Sequence, residues 1–296
     1  MDGIVFVDKK PGVTSYDAIK LVKKRFNTNK VGHCGTLDPF ASGLLIIGIN
    51  QATKVLNFLE NETKEYIATL TLGISTDTFD LTGKEVSKSE VKSFDGKKLN
   101  EIVKTFIGEI TQIPPIYSSI HVNGKHLYEY ARNNDEVEIP KRNVIIHELK
   151  ILAFNDNEIE FYVKCSKGTY IRTLGVDIAK KLENDGHISK LRRISIGNIS
   201  IDNAINYEQL ENFNYEINAI QDCLNMKKLY IDDKSILRRV YNGQDIYLKQ
   251  ETSDYVLIID NNIPVSIYKM VDIAKYHCVR GLFDEDIRYK RLKEFQ

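Results

Sequence analysis

The chain has no tryptophan and only six prolines and four cysteines among 296 residues. The cysteines, Cys34, Cys165, Cys223 and Cys278, stand singly and never at C-x-x-C spacing. A zinc ribbon or a disulfide framework is therefore unsupported, and buried free thiols are expected. No stretch approaches the about eighteen uninterrupted apolar residues of a membrane-spanning helix. The best runs, Leu44 to Ile49 and Tyr255 to Ile259, are strand-sized. The opening Met1-Asp2-Gly3-Ile4 lacks the basic and then apolar start of a signal peptide, so a cytoplasmic protein is expected. Net charge is missing too, because 41 basic and 41 acidic side chains cancel. That excludes a polycationic, histone-like protein but not a local basic cleft. What remains is ordinary globular material, 42% apolar and 28% charged, which rules out a disordered or collagen-like chain. The length leaves room for two domains or one large domain with an appendage.

Gly3 to Asp8 reads as a short buried strand. After Lys10-Pro11-Gly12, either Thr14 or Ser15 can cap a helix, with Asp17 in its first turn. Ala18, Ile19, Val22 and Phe26 share one face of that helix. A glycine-rich loop over residues 32–43 precedes a strand over Leu44 to Ile49, a helix through Leu59 and an alternating strand over Lys64 to Leu72. The spacing of Leu99, Ile102, Val103 and Phe106 predicts a helix over 95–108. Val144 to Phe154 and Ile159 to Cys165 read as adjacent strands, and a helix follows Gly168. From Met226 onward the pattern changes to short strands and turns, so a domain boundary is expected there, giving units of residues 1–225 and 226–296.

Three clusters stand out. Gly32-His-Cys-Gly-Thr-Leu-Asp-Pro-Phe-Ala-Ser-Gly43 allows close approach to its backbone. Pro39 biases Asp38 toward extended geometry, so its carboxylate should project from a defined loop. From these residues alone Asp38 could equally be a turn residue, and His33 an ordinary loop histidine. Residues 164–193 hold eight Lys or Arg against three acids, and residues 9–30 hold seven against one. Such a concentration fits either an RNA-binding face or a merely solvated one. Tyr66, near a strand start and followed by the loop Gly73 to Asp80, could stack on a base or simply pack. Ser166-Lys-Gly-Thr169 lacks the order of a phosphate-binding Walker loop.

In order along the chain, Lys10-Pro-Gly-Val-Thr-Ser15, the Gly32–Gly43 segment and Lys64-Glu-Tyr66 resemble the TruB family of tRNA pseudouridine synthases. Thr76-Asp-Thr-Phe-Asp80, Tyr117-Ser-Ser, Leu127-Tyr-Glu-Tyr-Ala-Arg132, Cys165 to Arg172 and Leu191-Arg-Arg193 continue the resemblance. It runs from residue 3 to about residue 195 and more faintly beyond.

The resemblance implies isomerisation of uridine 55 in the tRNA T arm to pseudouridine, with no metal or organic cofactor. Asp38 matches the family's nucleophile, which attacks either ribose C1′ or the uracil ring. As an ordinary Asp it should be ionised at neutral pH. Arg172 matches the arginine that pairs with it, Tyr66 the tyrosine that stacks on the base, and Tyr170 and Leu191 the walls of the uracil pocket. His33 matches a histidine that packs into the opened T loop, and Asp80 a second acid near the site. The implied fold is α+β, a mixed and largely antiparallel-sheet catalytic domain with a small β-rich C-terminal PUA-like RNA-binding domain. Residues 112–142 resemble a thumb that clamps the T arm. Three departures occur: Cys34 replaces a common Thr, His121 a common Lys, and Asn134 a common Gly. The implied partner is the tRNA T stem-loop, bound by a monomer with no obligate protein partner. An RNA-guided synthase of archaeal or eukaryotic type, or a tRNA-folding chaperone acting by binding alone, shares many of these features.

Overall fold

The computed structural model describes residues 1–133 and 135–295. Asn134, noted above as a departure, lies outside the described residues. Among the described residues, ten strands form one sheet. Its main path runs Ile205–Asn206, Gly3–Lys9, Ser42–Ile49, Gly186–Ile196, Lys64–Leu72, Glu158–Cys165, Arg142–Phe154 and Gly108–Gln112. Only two junctions on this path are parallel, Val7 against Ile205 and Arg192-Arg193 against Ser42-Gly43. A second, five-stranded sheet runs Lys227–Tyr230, Tyr255–Asp260, Ile263–Asp272, Lys275–Gly281 and Ile246–Tyr247. The fold is therefore the expected α+β arrangement, with a large and mostly antiparallel sheet and a β-rich C-terminal part.

Gly3–Lys9 and Ser42–Ile49 are apolar on successive residues because both of their faces are covered. Val5, Val7, Leu45 and Ile47 belong to one buried cluster with Ala18 and Val22 of helix Ser15–Phe26 and Leu174 and Ile178 of helix Ile171–Lys181. Ile4, Phe6, Leu44 and Ile46 face the other way, onto Val55, Leu56 and Leu59 and onto Leu257, Ile259 and Ile267 of the C-terminal sheet. Each such side chain buried stabilises by about 1.5–3 kcal/mol, so the C-terminal sheet is part of the large sheet's support. Lys54 reinforces the seam by donating to the carbonyls of Gly281 (3.0 Å) and Phe283 (3.3 Å).

Thr14, not Ser15, caps the first helix. Its Oγ1 accepts from the Asp17 N–H (3.1 Å), while Asp17 Oδ2 accepts from the Thr14 N–H (3.0 Å). Cys34, Cys165 and Cys223 are buried free thiols, and Cys278 is half-buried.

The structure departs from the expected elements in three places. The glycine-rich loop is shorter, because Val31–Cys34 pairs with Ile46 to Ile49 as a strand and leaves only residues 35–41 as loop. The helix expected over 95–108 spans Gly96–Lys104; Gly108, at φ +105°, opens an edge strand instead. Gly186–Ile196 is a central strand that the sequence pattern hides. Two register shifts break its alternation, and an arginine, Arg193, occupies one of its buried positions.

Candidate active site

Residues 35–41 sit where Ser42–Ile49 passes from one neighbour to another. Val31–Cys34 pairs along one part of that strand, and Arg192-Arg193 joins at Ser42-Gly43. Gly43 makes the junction possible. Its φ is +108°, and a Cβ there would lie 2.2 Å from the Arg193 carbonyl oxygen. The loop is held by its own backbone groups. Ser15 Oγ donates to the Leu37 carbonyl (3.2 Å) and accepts from the Leu37 N–H (3.0 Å). Lys9 Nζ donates to the carbonyls of Ala41 (2.6 Å), Val13 (2.8 Å) and Pro39 (3.4 Å). Arg193 donates to the carbonyls of Gly35 (3.1 Å) and Leu44 (2.8 Å). Buried cations satisfied by carbonyls fix the loop without offsetting the charge of Asp38 by direct pairing.

Asp38 projects from this loop onto Arg172, in the first turn of helix Ile171–Lys181. Nη2 donates to Oδ1 at 3.1 Å and Nε lies 3.0 Å from Oδ2, a two-point grip. The rest of the guanidinium is also engaged. Nη1 donates to the Thr78 carbonyl (2.9 Å) and to Asp80 Oδ2 (3.3 Å), and Nη2 to the Tyr117 carbonyl (3.0 Å). Asp80 Oδ1 accepts in turn from Thr78 Oγ1 (2.8 Å) and the Thr82 N–H (2.9 Å). Arg172 and Asp80 side chains are each 5% exposed, whereas Asp38 retains 33%. Arg172 is thus immobilised, and only Asp38 opens to solvent.

The Asp38 carboxyl is not the ordinary one expected. Burial raises its pKa; Arg172 pulls it back, Asp80 adds to the rise and Lys9 opposes it. Its exposed third opens into a cavity while the rest of the carboxyl is enclosed by protein, so partial exposure and strong desolvation coexist. Burial also brings the Lys9 ammonium down to about 8, although Asp38 favours its charged form.

The cavity, of about 1400 Å³, is lined by Asp38, Tyr66, Asp80, Tyr170, Arg172 and Leu191 among others. Tyr66 and Leu191 come from adjacent central strands, Lys64–Leu72 and Gly186–Ile196. Burial pushes the Tyr66 phenol up to about 12, so it stays protonated at neutral pH and can donate but not act as a phenolate. Tyr170 precedes helix Ile171–Lys181, its N–H donating to Gln112 Oε1 (3.0 Å). His33 is the exception. It lies half-buried on Val31–Cys34, outside the cavity lining, with Nδ1 unpartnered and its pKa lowered by burial.

Several basic residues counted toward an RNA-facing surface are turned inward. Lys9 and Arg193 are 0% and 1% exposed and Arg172 is buried, whereas Arg192 keeps 42% of its side chain exposed and pairs with Asp8 at 2.7 Å. Sequence reasoning missed Lys9, Ser15 and Arg193 as supports of the Asp38 loop. A lysine closing the apolar run Gly3 to Val7 was the available signal for the first. Arg142 belongs to a strand of the large sheet and lines the cavity.

Residues 23–171 match the model of the TruB family pseudouridylate synthase N-terminal domain. The chain is 41% identical over 283 residues to tRNA pseudouridine synthase B of Oceanobacillus iheyensis, covering 91% of this chain and 93% of the relative. It is 36% identical over 293 residues to the enzyme of the same name from Francisella tularensis, covering 97% and 96%. Among solved structures, an H/ACA ribonucleoprotein bound to a substrate RNA containing 2′-deoxyuridine superposes with a TM-score of 0.71. That likeness, at 23% identity over 98% of this chain and 87% of the other, concerns the fold. Since the family model spans half of the chain and relatives of this identity span nearly all of it, the chain belongs to the TruB family and is a pseudouridine synthase.

Proposed function

We propose that this protein converts uridine 55 in the T arm of tRNA to pseudouridine, with Asp38 as nucleophile. The observation that carries the reading is the two-point Asp38–Arg172 pair in the cavity wall, in which the carboxylate is 33% exposed and the arginine 5%. The reaction is an isomerisation. The N1–C1′ bond breaks, the uracil turns, C5 bonds to C1′, and the C5 proton is lost as N1 gains one. Asp38 adds to the nucleoside and leaves again, so no cofactor or metal is consumed. Arg172 aims the carboxylate and favours its charged form, and Asp80 holds Arg172 from behind. Tyr66 stacks on the base, while Tyr170 and Leu191 keep water from the detached uracil. The nucleotide must leave its stack, at a cost of a few kcal/mol, and His33 fills the T loop in its place.

In this reading residues 1–225 form the catalytic domain, residues 112–142 are a thumb across the T arm, and residues 226–296 are a PUA-like RNA-binding domain. The protein works alone in the cytoplasm as a monomer. The test is to incubate the purified protein with an unmodified T-arm stem-loop and map the product. Pseudouridine at position 55 without any partner is expected. Product at another position, or only with guide RNA or partner proteins, would overturn the reading.

A further inference from the structure

Among the described residues, five buried side-chain polar atoms have no hydrogen-bond partner: His33 Nδ1, Gln51 Oε1, Ser118 Oγ, Ser195 Oγ and the Tyr215 hydroxyl. Of these only Ser118 Oγ belongs to the lining of the Asp38 cavity. Ser118 is 7% exposed. A buried hydroxyl that bonds to nothing is destabilising, so one set in a cavity wall points to a partner that arrives from outside. Elsewhere in the lining the half-buried hydroxyls of Thr78 and Thr169 are already engaged, on Asp80 Oδ1 (2.8 Å) and on the Ser166 carbonyl (2.9 Å).

The backbone that carries this hydroxyl is fixed. The Ser118 N–H donates to the Ile116 carbonyl (3.0 Å), and the Ser118 carbonyl accepts from the Tyr128 N–H (3.3 Å). One residue earlier, the Tyr117 carbonyl accepts from Arg172 Nη2 (3.0 Å), the nitrogen that also donates to Asp38. Ser118 is thus tied through its neighbour to the reacting pair. Its side chain lies beside Tyr170: burial raises the Tyr170 phenol, and the Ser118 hydroxyl draws it back. Tyr170 is a wall of the pocket in which the uracil turns in the reading above.

The chemistry of that turn suits a fixed donor. Uracil carries two carbonyl oxygens, O2 and O4, on either side of N3. To bring C5 to the place of N1, the ring makes half a revolution about the line through N3 and C6. The same half-revolution exchanges O2 and O4. A hydroxyl held in the wall therefore meets one carbonyl oxygen before the turn and the other after it, without moving. On the route in which Asp38 bonds to C1′, the uracil leaves with the N1–C1′ electron pair. Its negative charge is shared by N1, O2 and O4, and a donor at a carbonyl oxygen stabilises it.

We propose that Ser118 Oγ donates a hydrogen bond to a carbonyl oxygen of the target uracil, O2 and O4 taking that place in turn, and so steadies the base through its rotation. This rests on the uridine substrate proposed above and adds to it a fixed donor for the ring. Because the hydroxyl has no partner within the protein, its removal should leave the fold intact.

The test is single turnover at saturating enzyme on an unmodified T-arm stem-loop, with RNA affinity and thermal unfolding measured alongside. Ser118→Ala should lower the saturated rate between about tenfold and a hundredfold, the range for losing a hydrogen bond to a charged group. Affinity should change little, and thermal stability should equal or exceed that of wild type. Ser118→Thr keeps the hydroxyl and should recover most of the rate. A second arm places 2-thiouridine or 4-thiouridine at the target, where sulfur accepts poorly. The ratio of wild-type to Ser118→Ala rates should shrink on both, because the donor then meets sulfur at one end of the turn. An unchanged rate or a lower melting temperature in Ser118→Ala would overturn the proposal. So would a rate ratio undiminished on both sulfur substrates, which would put the hydroxyl on the ribose instead. In each of these cases wild type still forms pseudouridine and the proposed function stands. Wild type that forms none at position 55 would overturn both.

Discussion

Asp38 and Asp260 are both gripped by an arginine at two points, yet their surroundings are opposite. Asp260 meets Arg291 through Nε (2.8 Å) and Nη2 (2.6 Å), and Tyr241 donates its hydroxyl to the same carboxylate (2.9 Å). Its side chain is 4% exposed, so the group is sealed and its work is to bind the last helix, Glu285–Glu294, to the C-terminal sheet. Asp38 has the same grip from Arg172 but is 33% exposed, at the floor of a cavity with Tyr66 and Leu191 on its walls. The fork also differs. Arg291 is free to pair with Glu294, whereas every outward group of Arg172 ends on Asp80 or on a carbonyl. An ion pair is therefore no sign of chemistry by itself. The open face of one partner and the immobility of the other make the difference.

Apart from Asp38 itself, the largest effect is expected at Arg172. Arg172→Lys keeps a charge but loses the planar fork, and misaim on this scale costs roughly a hundredfold in the chemical step. Single-turnover kinetics at saturating enzyme should show that fall with affinity little changed. An intact rate would show that the fork does not aim Asp38.

The matching change at the sealed pair should strike stability instead. Asp260→Asn removes the buried carboxylate from Arg291 and leaves it only the more exposed Glu294 as a charged partner, a loss of about 2–4 kcal/mol in folding free energy. Thermal unfolding should shift down accordingly while the saturated rate stays in place. A variant as stable as wild type would mean that Asp260 does not anchor the last helix.

A smaller effect follows from acid. Because burial raises the Asp38 carboxyl, its protonated fraction grows at higher pH than for an ordinary Asp, and the protonated form is no nucleophile. The saturated single-turnover rate should fall on acidification, starting above the ordinary carboxylate range, and level off as pH rises. A rate that holds flat down to the ordinary Asp range would contradict the raised carboxyl.

The smallest effect belongs to surface charge. Lys141 is exposed and outside the cavity lining. Lys141→Ala should weaken RNA binding and lower the log–log salt slope by roughly 0.7 to 1. An unaltered slope removes Lys141 from the RNA-facing surface.

How much of this was legible in the sequence follows the same division between local and distant partners. The start of the first helix could be read to within one residue, Thr14 or Ser15, because its capping groups lie three residues apart. The central apolar strands were legible because both their faces are buried. Asp38, Tyr66 and Arg172 were singled out by ordered motifs and not by composition. Arg193 and Lys9 were counted as surface charge, since a count of basic residues cannot include the carbonyls that satisfy them. The acceptors of Arg193, Leu44 and Gly35, are 149 and 158 residues away. The strand Gly186–Ile196 was hidden for the same reason: its buried arginine and two register shifts erase the alternation. His33, matched to a residue that enters the T loop, lies on strand Val31–Cys34 outside the cavity lining.

The most direct test of the central claim, that the open carboxylate and not the pairing does the chemistry, is single turnover by Asp38→Asn on an unmodified T-arm stem-loop. Asn is nearly the same shape but neutral and poorly nucleophilic. The account expects RNA binding and thermal stability close to wild type, with no detectable pseudouridine at position 55. Product formation faster than about a hundredth of the wild-type rate would contradict it.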